Sequence, residues 1–372
     1  MTVTIGVARE TADGERRVAL TPETGKKLVA AGAKVRIERG LGDMAYFPDQ
    51  AYADAGVEIV DDAIAAVADV DIVLCVQPPD PTAITAFKQG ATLVGSLQPE
   101  SEPARAEALR LREIVAFPLE RLPRTTRAQA MDVLSSQAGI AGYKAVLIGA
   151  QLAPRFFPML TTAAGTIRPS KVLVVGAGVA GLQAVATAKR LGAQVECFDV
   201  RPETREQIES LGGKFLDLGV SAAGEGGYAR QLTDEESAEQ QRRLGEHLKT
   251  IDVIVCTAAV PGRPAPKIVT ASMVDGMKPG SVIVDLAAET GGNCELTQPG
   301  QTVQHAGITI AGPLNLASSG ALHASEMFAR NVYNFVSLLI KDGALVFDWD
   351  DELLARTVWP MVPVSVVAEP AS

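Results

Sequence analysis

The sequence predicts an α/β protein built as two doubly wound parallel-sheet (Rossmann-like) domains joined by long helices. Three observations carry that expectation. Short β-branched runs alternate with helical stretches from end to end, the rhythm of βαβ units. The series is interrupted once, by a polar arginine-rich stretch, and restarts at Lys171. The restart holds a Gly-x-Gly-x-x-Gly turn between a strand and a helix, the fingerprint of a dinucleotide-binding unit. The 372 residues leave room for about two domains of ~100–200 residues.

Taken in order, Thr2–Val7 (TVTIGV) reads as a strand. Pro22–Ala31 reads as a helix, with Thr21 as its N-cap and Gly32 as its stop. Lys34–Glu38 alternates like a strand, and Asp71–Val76, Thr92–Val94 and Ile114–Phe117 are further strands. Helices fit Pro81–Phe87 and Glu102–Leu111. The polar stretch Glu120–Asp132 (ERLPRTTRAQAMD) follows. Val133–Leu152 is helical in character, and its Gly139, Gly142 and Gly149 suggest close helix packing, for which a dimer or domain interface is one place.

In the second series, strands fit Val172–Val175, Gln194–Phe198, Lys214–Leu216, Val253–Cys256, Ser281–Asp285 and Ile308–Ile310. Helices fit Val179–Leu191, Glu203–Leu211, Glu235–Leu248 and Thr270–Gly276. A last helix, Ala321–Ile340, would carry the chain back to the first domain, with Val346–Ser372 packed there as a tail. The expected division is therefore a discontinuous first domain, 1–132 plus 320–372, and a nested second one, 133–319.

Composition narrows the function classes. Apolar residues make up 47% and charged ones 21%, which excludes a disordered chain. A formal net charge of −10 argues against binding nucleic acid or anionic lipid by charge. Cys75, Cys197, Cys256 and Cys294 are far apart and form no C-x-x-C pair, which reads as a reduced, cytosolic protein without disulfides or zinc. His247, His305 and His323 lie on separate segments, so no metal site is expected. Arg9, Glu10 and Asp13 interrupt any signal-peptide core, and no apolar run is long enough to span a bilayer.

The strongest local signal is VLVVGAGVAGLQAVATAKRLGAQVECFDVR, Val172–Arg201. A strand enters Gly176-Ala177-Gly178-Val179-Ala180-Gly181, a helix leaves it, and a second strand ends at Asp199. Gly176 permits the tight turn, Gly178 lets backbone approach a pyrophosphate, and Gly181 lets the helix sit close on the strand. The helix N-terminus offers N–H groups and a positive dipole to the phosphates. Asp199 is placed to accept from the hydroxyls of an adenosine ribose, which favours NAD over NADP. Beside it, after Val200, Arg201 could instead recruit a 2′-phosphate. Ala258, Ala259 and Val260 follow a later strand and could line the cofactor, or could simply pack there.

An ordinary hydroxy-acid or amino-acid dehydrogenase needs a proton donor or acceptor at the reacting carbon and a cation for the carboxylate. His305 and His323 read as structural or surface residues. Arg16 and Arg17 could bind a carboxylate or sit in a solvated turn. The polar stretch offers something else: Arg124, Gln129, Asp132 and Ser135 combine groups that hydrogen-bond a nicotinamide carboxamide and ribose hydroxyls. Such a loop fits a reaction in which hydride alone moves and positioning supplies the rate. The same spacing also fits the exposed start of a helix.

With these residues in view, the chain resembles the soluble NAD(H)-binding component (domain I, alpha-1 subunit) of proton-translocating NAD(P)+ transhydrogenase. The resemblance covers essentially the whole chain. It rests on RVALTPE (Arg17–Glu23), PRTTRAQAMDVLSSQAGIAGYKAV (Pro123–Val146), FPMLTTAAGT (Phe157–Thr166), DVR (Asp199–Arg201), ESLGGKF (Glu209–Phe215), GGYA (Gly226–Ala229), PGRPAP (Pro261–Pro266) and MKPGSVIVDLAAETGGNCE (Met277–Glu295).

The resemblance implies that Arg124 and Asp132 hold the dihydronicotinamide, with Ser135 in the same loop, while Gln129 reaches toward the NADP ribose of a partner subunit. It implies adenosine and pyrophosphate contacts at Gly178, Asp199 and Arg201, a mobile loop at Gly227 and Tyr228, and further nucleotide contacts at Gln240 and Ala259. It implies a separate soluble homodimeric subunit, cytoplasmic and peripheral to the inner membrane. Its partners would be a membrane-embedded alpha-2 subunit and a beta subunit whose NADP-binding domain takes the hydride, coupled to proton translocation. The related alanine dehydrogenase shares RVALTP, but its substrate-site lysine position is occupied here by Gln77 and its histidine position by about Ser96. An alanine-dehydrogenase-like oxidoreductase and a non-catalytic NAD sensor are the alternatives. One departure from the transhydrogenase pattern is Ala317 in NLAS (Asn315–Ser318), where many relatives have proline.

Overall fold

The structure, a computed structural model, describes residues 2–219, 233–259 and 263–360. The chain divides into two compact units, Met1–Gln137 with Ser318–Ser372, and Ala138–Ala317.

The first unit opens with β1 (Thr4–Val7), α1 (Pro22–Ala30), β2 (Lys34–Glu38), α2 (Asp49–Asp54), β3 (Glu58–Val60) and α3 (Ala63–Val67). It continues with β4 (Ile72–Leu74), α4 (Pro81–Ile84), β5 (Thr92–Gly95), α5 (Pro103–Leu111) and β6 (Val115–Pro118). The six strands form an all-parallel sheet in the order β3-β2-β1-β4-β5-β6, reversing direction of growth between β1 and β4. α1 begins where the sequence places it: the Thr21 hydroxyl accepts the Thr24 N–H, and the Thr24 hydroxyl accepts the Thr21 N–H. Three elements between β2 and β4, namely α2, β3 and α3, were not expected. α4 stops at Ile84, short of the predicted Phe87.

Helix α6 (Val133–Leu152) follows, and the division between units falls within it. A Cβ on Gly142 would stand 2.0 Å from the Ala180 carbonyl oxygen, and one on Gly149 would stand 3.0 Å from the Val253 side chain. Both contacts lie inside the second unit. These two glycines let α6 press onto its own sheet and helix layer, the close packing that the sequence suggests.

The second unit begins with an antiparallel hairpin, β7 (Leu160–Thr162) and β8 (Gly165–Ile167), exposed along its length. Then come β9 (Lys171–Val175), α7 (Val179–Arg190), β10 (Gln194–Phe198), α8 (Arg205–Ser210) and β11 (Lys214–Phe215). After residues 220–232 lie α9 (Asp234–Leu248), β12 (Val253–Cys256), α10 (Ala271–Asp275), β13 (Val282–Asp285), β14 (Thr302–His305) and β15 (Ile308–Ala311). The sheet order is β11-β10-β9-β12-β13-β15-β14. Six strands are parallel, but the edge strand β14 runs antiparallel to β15, a departure from a purely parallel sheet. His305 therefore ends β14, and the expected strand β15 follows it after a two-residue turn.

Strand alternation sorts this core into two layers. Val172, Val174, Val253, Val255, Val282 and Val284 pack with Ala145, Val146, Ala184 and Ala188 of α6 and α7. Leu173, Val175, Ile254, Cys256 and Ile283 face the other way, against Leu244 and Leu248 of α9 and Met273 of α10.

The chain returns through α11 (Ala321–Val336), the hairpin β16 (Ile340–Lys341) and β17 (Ala344–Leu345), and α12 (Glu352–Thr357). α11 ends at Val336, one turn before the predicted Ile340, which sits in a strand instead. Phe328, Val332, Phe335, Leu353 and Leu354 fill the core of the first unit with Ile5, Ile37, Leu74 and Phe117. Trp359 exchanges backbone hydrogen bonds of 2.7 and 3.1 Å with Ala116 of β6 and so closes that sheet edge.

Candidate functional site

The glycine turn of the second unit has a distinct reason at each glycine. Gly176 has φ +96°, a left-handed conformation, and a Cβ on it would stand 2.9 Å from Thr257 Oγ1 and 3.0 Å from the Ala258 nitrogen. A Cβ on Gly181 would stand 1.8 Å from the Gly176 carbonyl oxygen, so only glycine lets α7 seat on the turn. Gly178, by contrast, is the N-cap of α7, and among the described residues no atom lies within 4 Å of a Cβ on it. Among the described residues no side chain caps the α7 N-terminus, whose positive end suits an anion. Ala177 is buried and Val179 is exposed.

Asp199 lies just past β10 and is 8% exposed. Its Oδ2 accepts the Ala177 N–H at 2.7 Å, which ties the second strand to the glycine turn. Its Oδ1 accepts the Arg201 backbone N–H and Nε–H, both at 2.9 Å, and Oδ2 accepts Arg201 Nη2–H at 2.9 Å. Burial raises this carboxyl's pKa, but the Arg201 guanidinium and the two amides outweigh it and hold the group below the usual carboxylate range. The sequence reading leaves this carboxylate open to a ribose; the structure gives it a standing partner. Val200, between them, packs against the α9-side core.

Gln240 lies on α9, 9% exposed, and among the described residues its Nε2 has no hydrogen-bond partner. A buried amide without a partner is costly, so this donor fits a site completed by a ligand. Ala259 is exposed at the end of the β12 connection, and Ala258 is half-buried. Gly227, Tyr228 and Val260 lie outside the described residues.

In the first unit, the polar loop is clamped from behind. Asn331 and Asn334 of α11 each donate to the Ala130 carbonyl at 2.9 Å, Arg127 pairs with Asp351, and Ala128 and Met131 are buried. Arg124 and Gln129 are exposed, and Asp132 and Ser135 are half-buried. Asp132 caps α6: Oδ1 accepts the Ser135 N–H at 2.9 Å and Oδ2 accepts the Ser135 hydroxyl at 2.5 Å. The loop thus presents a guanidinium and an amide on a rigid support, with a carboxylate–hydroxyl pair beside them.

The sequence reading missed a buried polar network in this same unit. Arg17 and Glu15 form an ion pair at 2.7 Å, both nearly fully buried. Arg17 Nη1 donates to Gln137 Oε1 at 2.9 Å, and Gln77 Nε2 donates to Glu15 Oε2 at 2.8 Å. Burial raises the Glu15 pKa, but Arg17 outweighs it and brings the carboxyl down to about 2. Nearby, Glu10 accepts the Val76 and Gln77 N–H groups at the end of β4, and burial pushes its carboxyl up to about 7. Arg16 and Arg17, read together from sequence, line one open cleft of about 450 Å³ with Arg9, Glu10, Glu15 and Glu38. Arg17 is buried and committed to the network, whereas Arg16 is exposed.

Two family descriptions match: the alanine dehydrogenase/PNT N-terminal domain over residues 6–141, and the alanine dehydrogenase/PNT C-terminal domain over residues 145–362. The chain belongs to the alanine dehydrogenase/PNT family. It is 44% identical over 364 residues to the first part of the NAD(P) transhydrogenase alpha subunit of Rhodospirillum rubrum, covering 95% of each chain. It is 31% identical over 324 residues to alanine dehydrogenase of Bacillus subtilis, covering 86% of this chain and 77% of the other. The crystal structure of a transhydrogenase from Sinorhizobium meliloti matches with TM-score 0.86 at 41% identity, covering 96% of this chain and 97% of that one.

Within the family, then, this chain sides with the transhydrogenase alpha subunits, and alanine dehydrogenase is the more distant relative. Membership of this family implies a nicotinamide nucleotide. The side chains agree with that placement. Gln77, at the position read from the resemblance as the dehydrogenase lysine, is a neutral amide bonded to Glu15, and the other position, near Ser96, offers a hydroxyl. His305 pairs with Asp275 and His247 with Glu196, which ties both rings into surface contacts. Among the described residues no group of three or more His, Cys, Asp or Glu could hold a metal, all four cysteines are free and buried, and no helix is long and apolar enough to cross a membrane.

Proposed function

We propose that this chain is the NAD(H)-binding subunit of a proton-translocating transhydrogenase, which delivers hydride to NADP+ bound on a beta subunit. When bound, NADH supplies the hydride, and the chain's own residues bind and orient. Gly176, Ala177, Gly178, Val179 and Gly181 receive the pyrophosphate at the positive end of α7. Asp199, Val200 and Arg201 take the adenosine ribose, and the Asp199 carboxylate favours NAD over NADP. Gln240 and Ala259 add contacts, as do Gly227 and Tyr228. In the first unit, Arg124 and Asp132 hold the carboxamide end with Ser135, and Gln129 reaches to the partner's nucleotide. None of these is required to exchange a proton, so alignment and exclusion of water supply the rate.

The observation that carries this reading is the cradle at Gly176–Gly181, with open space at Gly178 facing an uncapped helix end. A homodimer is part of the proposal. Phe156, Met159, Leu160 and Ile167 are 38–65% exposed on and before the β7–β8 hairpin, a patch that a second copy would cover. The subunit would be cytoplasmic and held at the inner membrane by an alpha-2 subunit, with hydride transfer coupled there to proton translocation.

The test mixes the purified chain with the NADP domain of the beta subunit and follows hydride transfer from NADH to an NADP+ analogue. Transfer is expected only with both present. A rate no greater than that of either alone, or NADH oxidation driven by pyruvate and ammonium, would overturn the proposal.

A further inference from the structure

Asn293 sits on the turn after β13 and is fully buried. Its side chain makes three hydrogen bonds to backbone. Oδ1 accepts the Ala258 N–H at 3.0 Å, and Nδ2 donates to the Ala258 carbonyl at 2.7 Å and to the Pro266 carbonyl at 2.9 Å. One primary amide thus pairs with both polar groups of one residue, as a neighbouring strand would, just where β12 has run out. Only an amide carries an acceptor and two donors in that arrangement. The turn that presents it is fixed in its own right: buried Asp285 accepts the Cys294 N–H at 2.9 Å and the Thr297 hydroxyl at 2.6 Å. The backbone of Ala258 in turn abuts Gly176, with only 3.0 Å from the Ala258 nitrogen to a Cβ on that glycine.

We infer that Asn293 is a positioning residue for nucleotide binding, acting through Ala258 on the Gly176 turn. This rests on the proposed function, because it assumes that the turn receives a nucleotide. Both amide hydrogens are engaged within the protein, so Asn293 shapes the site from behind.

The test uses the full chain with Asn293→Ala and Asn293→Ser, and with Val282→Ala as a core control on β13. Binding is read by NADH fluorescence titration. KM and kcat for NADH are read in hydride transfer to the beta subunit's NADP domain, and Tm by circular dichroism. Both Asn293 variants are expected to weaken NADH binding and raise KM about tenfold or more, with kcat within about twofold. Val282→Ala should lower Tm and leave KM unchanged. Folded Asn293 variants that bind NADH as tightly as the wild type overturn the inference. So does failure of both to fold, which would give Asn293 a structural role alone. A wild-type chain that binds no NADH overturns the proposed function, and this inference with it.

Discussion

Gly178 and Gly181 stand three residues apart in one turn, yet substitution should move two different observables. In Gly181→Ala the new Cβ would stand 1.8 Å from the Gly176 carbonyl oxygen and 2.9 Å from Thr257 Oγ1. Heavy atoms in contact need about 3.5 Å, so α7 must retreat or the turn must break. Overpacking costs about 1–3 kcal/mol, and an obstacle made of backbone puts this case near the top of that range. For a unit of this size each kcal/mol is worth about 2–4 °C, so Tm should fall by roughly 6–12 °C. In Gly178→Ala the methyl meets no atom of the described residues within 4 Å, and φ of −77° suits alanine. Stability should change by no more than about 0.5 kcal/mol. The methyl does occupy the gap through which a pyrophosphate would approach, so NADH affinity should fall about tenfold or more. Thermal denaturation and NADH titration on both variants read the two effects separately. A Gly178→Ala chain that binds NADH like the wild type, or a Gly181→Ala chain with unchanged Tm, refutes the reasoning.

Three further outcomes are expected. Arg17→Met leaves the buried Glu15 carboxylate without its guanidinium and should cost about 3–5 kcal/mol in urea denaturation, much of it recovered by adding Glu15→Gln. The two glutamates of this unit should tilt the stability–pH profile in opposite directions. Glu15, at about 2 when folded against an ordinary 4.5, contributes stability above about pH 4.5 that is lost as pH falls toward 2. Glu10, raised to about 7, binds its proton more tightly when folded, so stability should fall as pH rises from about 4.5 to 7, and Glu10→Gln should flatten that limb of urea midpoint against pH. Finally, Asp132→Ala removes the α6 cap and should cost about 1 kcal/mol, while Asp132→Asn keeps an acceptor and most of that stability. Hydride transfer should fall in both, and full recovery in Asp132→Asn would limit Asp132 to capping.

The regions of the fold that were legible are those where local sequence has one physical solution. The glycine turn, α7 and Asp199 follow from a spacing that leaves little choice, and Thr21-Pro22 announces α1. The stretch from Arg39 to Val70 was opaque because α2, β3 and α3 are too short to show a period. β14 alternates exposed and half-buried residues at a sheet edge, so it carries no apolar run. The end of α11 was misplaced because Leu338, Leu339 and Ile340 continue the apolar pattern past the helix into a hairpin. In the candidate site, Arg124 through Ser135 stood out as a cluster of polar types. Arg17 and Gln77 were noticed one at a time and Glu15 not at all; their joining stayed hidden, because a charged residue reads as solvated until its partner, 62 residues away for the Glu15–Gln77 bond, is seen beside it. Asn293 gave no signal beyond its place in GGNCE, since its role depends on backbone that only the folded sheet brings near.

The Asp199–Arg201 pair bears on how a nucleotide would leave. In the proposed site an incoming ribose would not find an idle carboxylate; it would trade places with, or share, a guanidinium already bonded there. Much of what the hydroxyls gained would be given up by the arginine, and the reverse exchange would be ready when the nucleotide departed. Under the proposed function, in which NAD+ is shed and NADH reloaded at every turnover, such a resident competitor would keep the grip light and the residence time short.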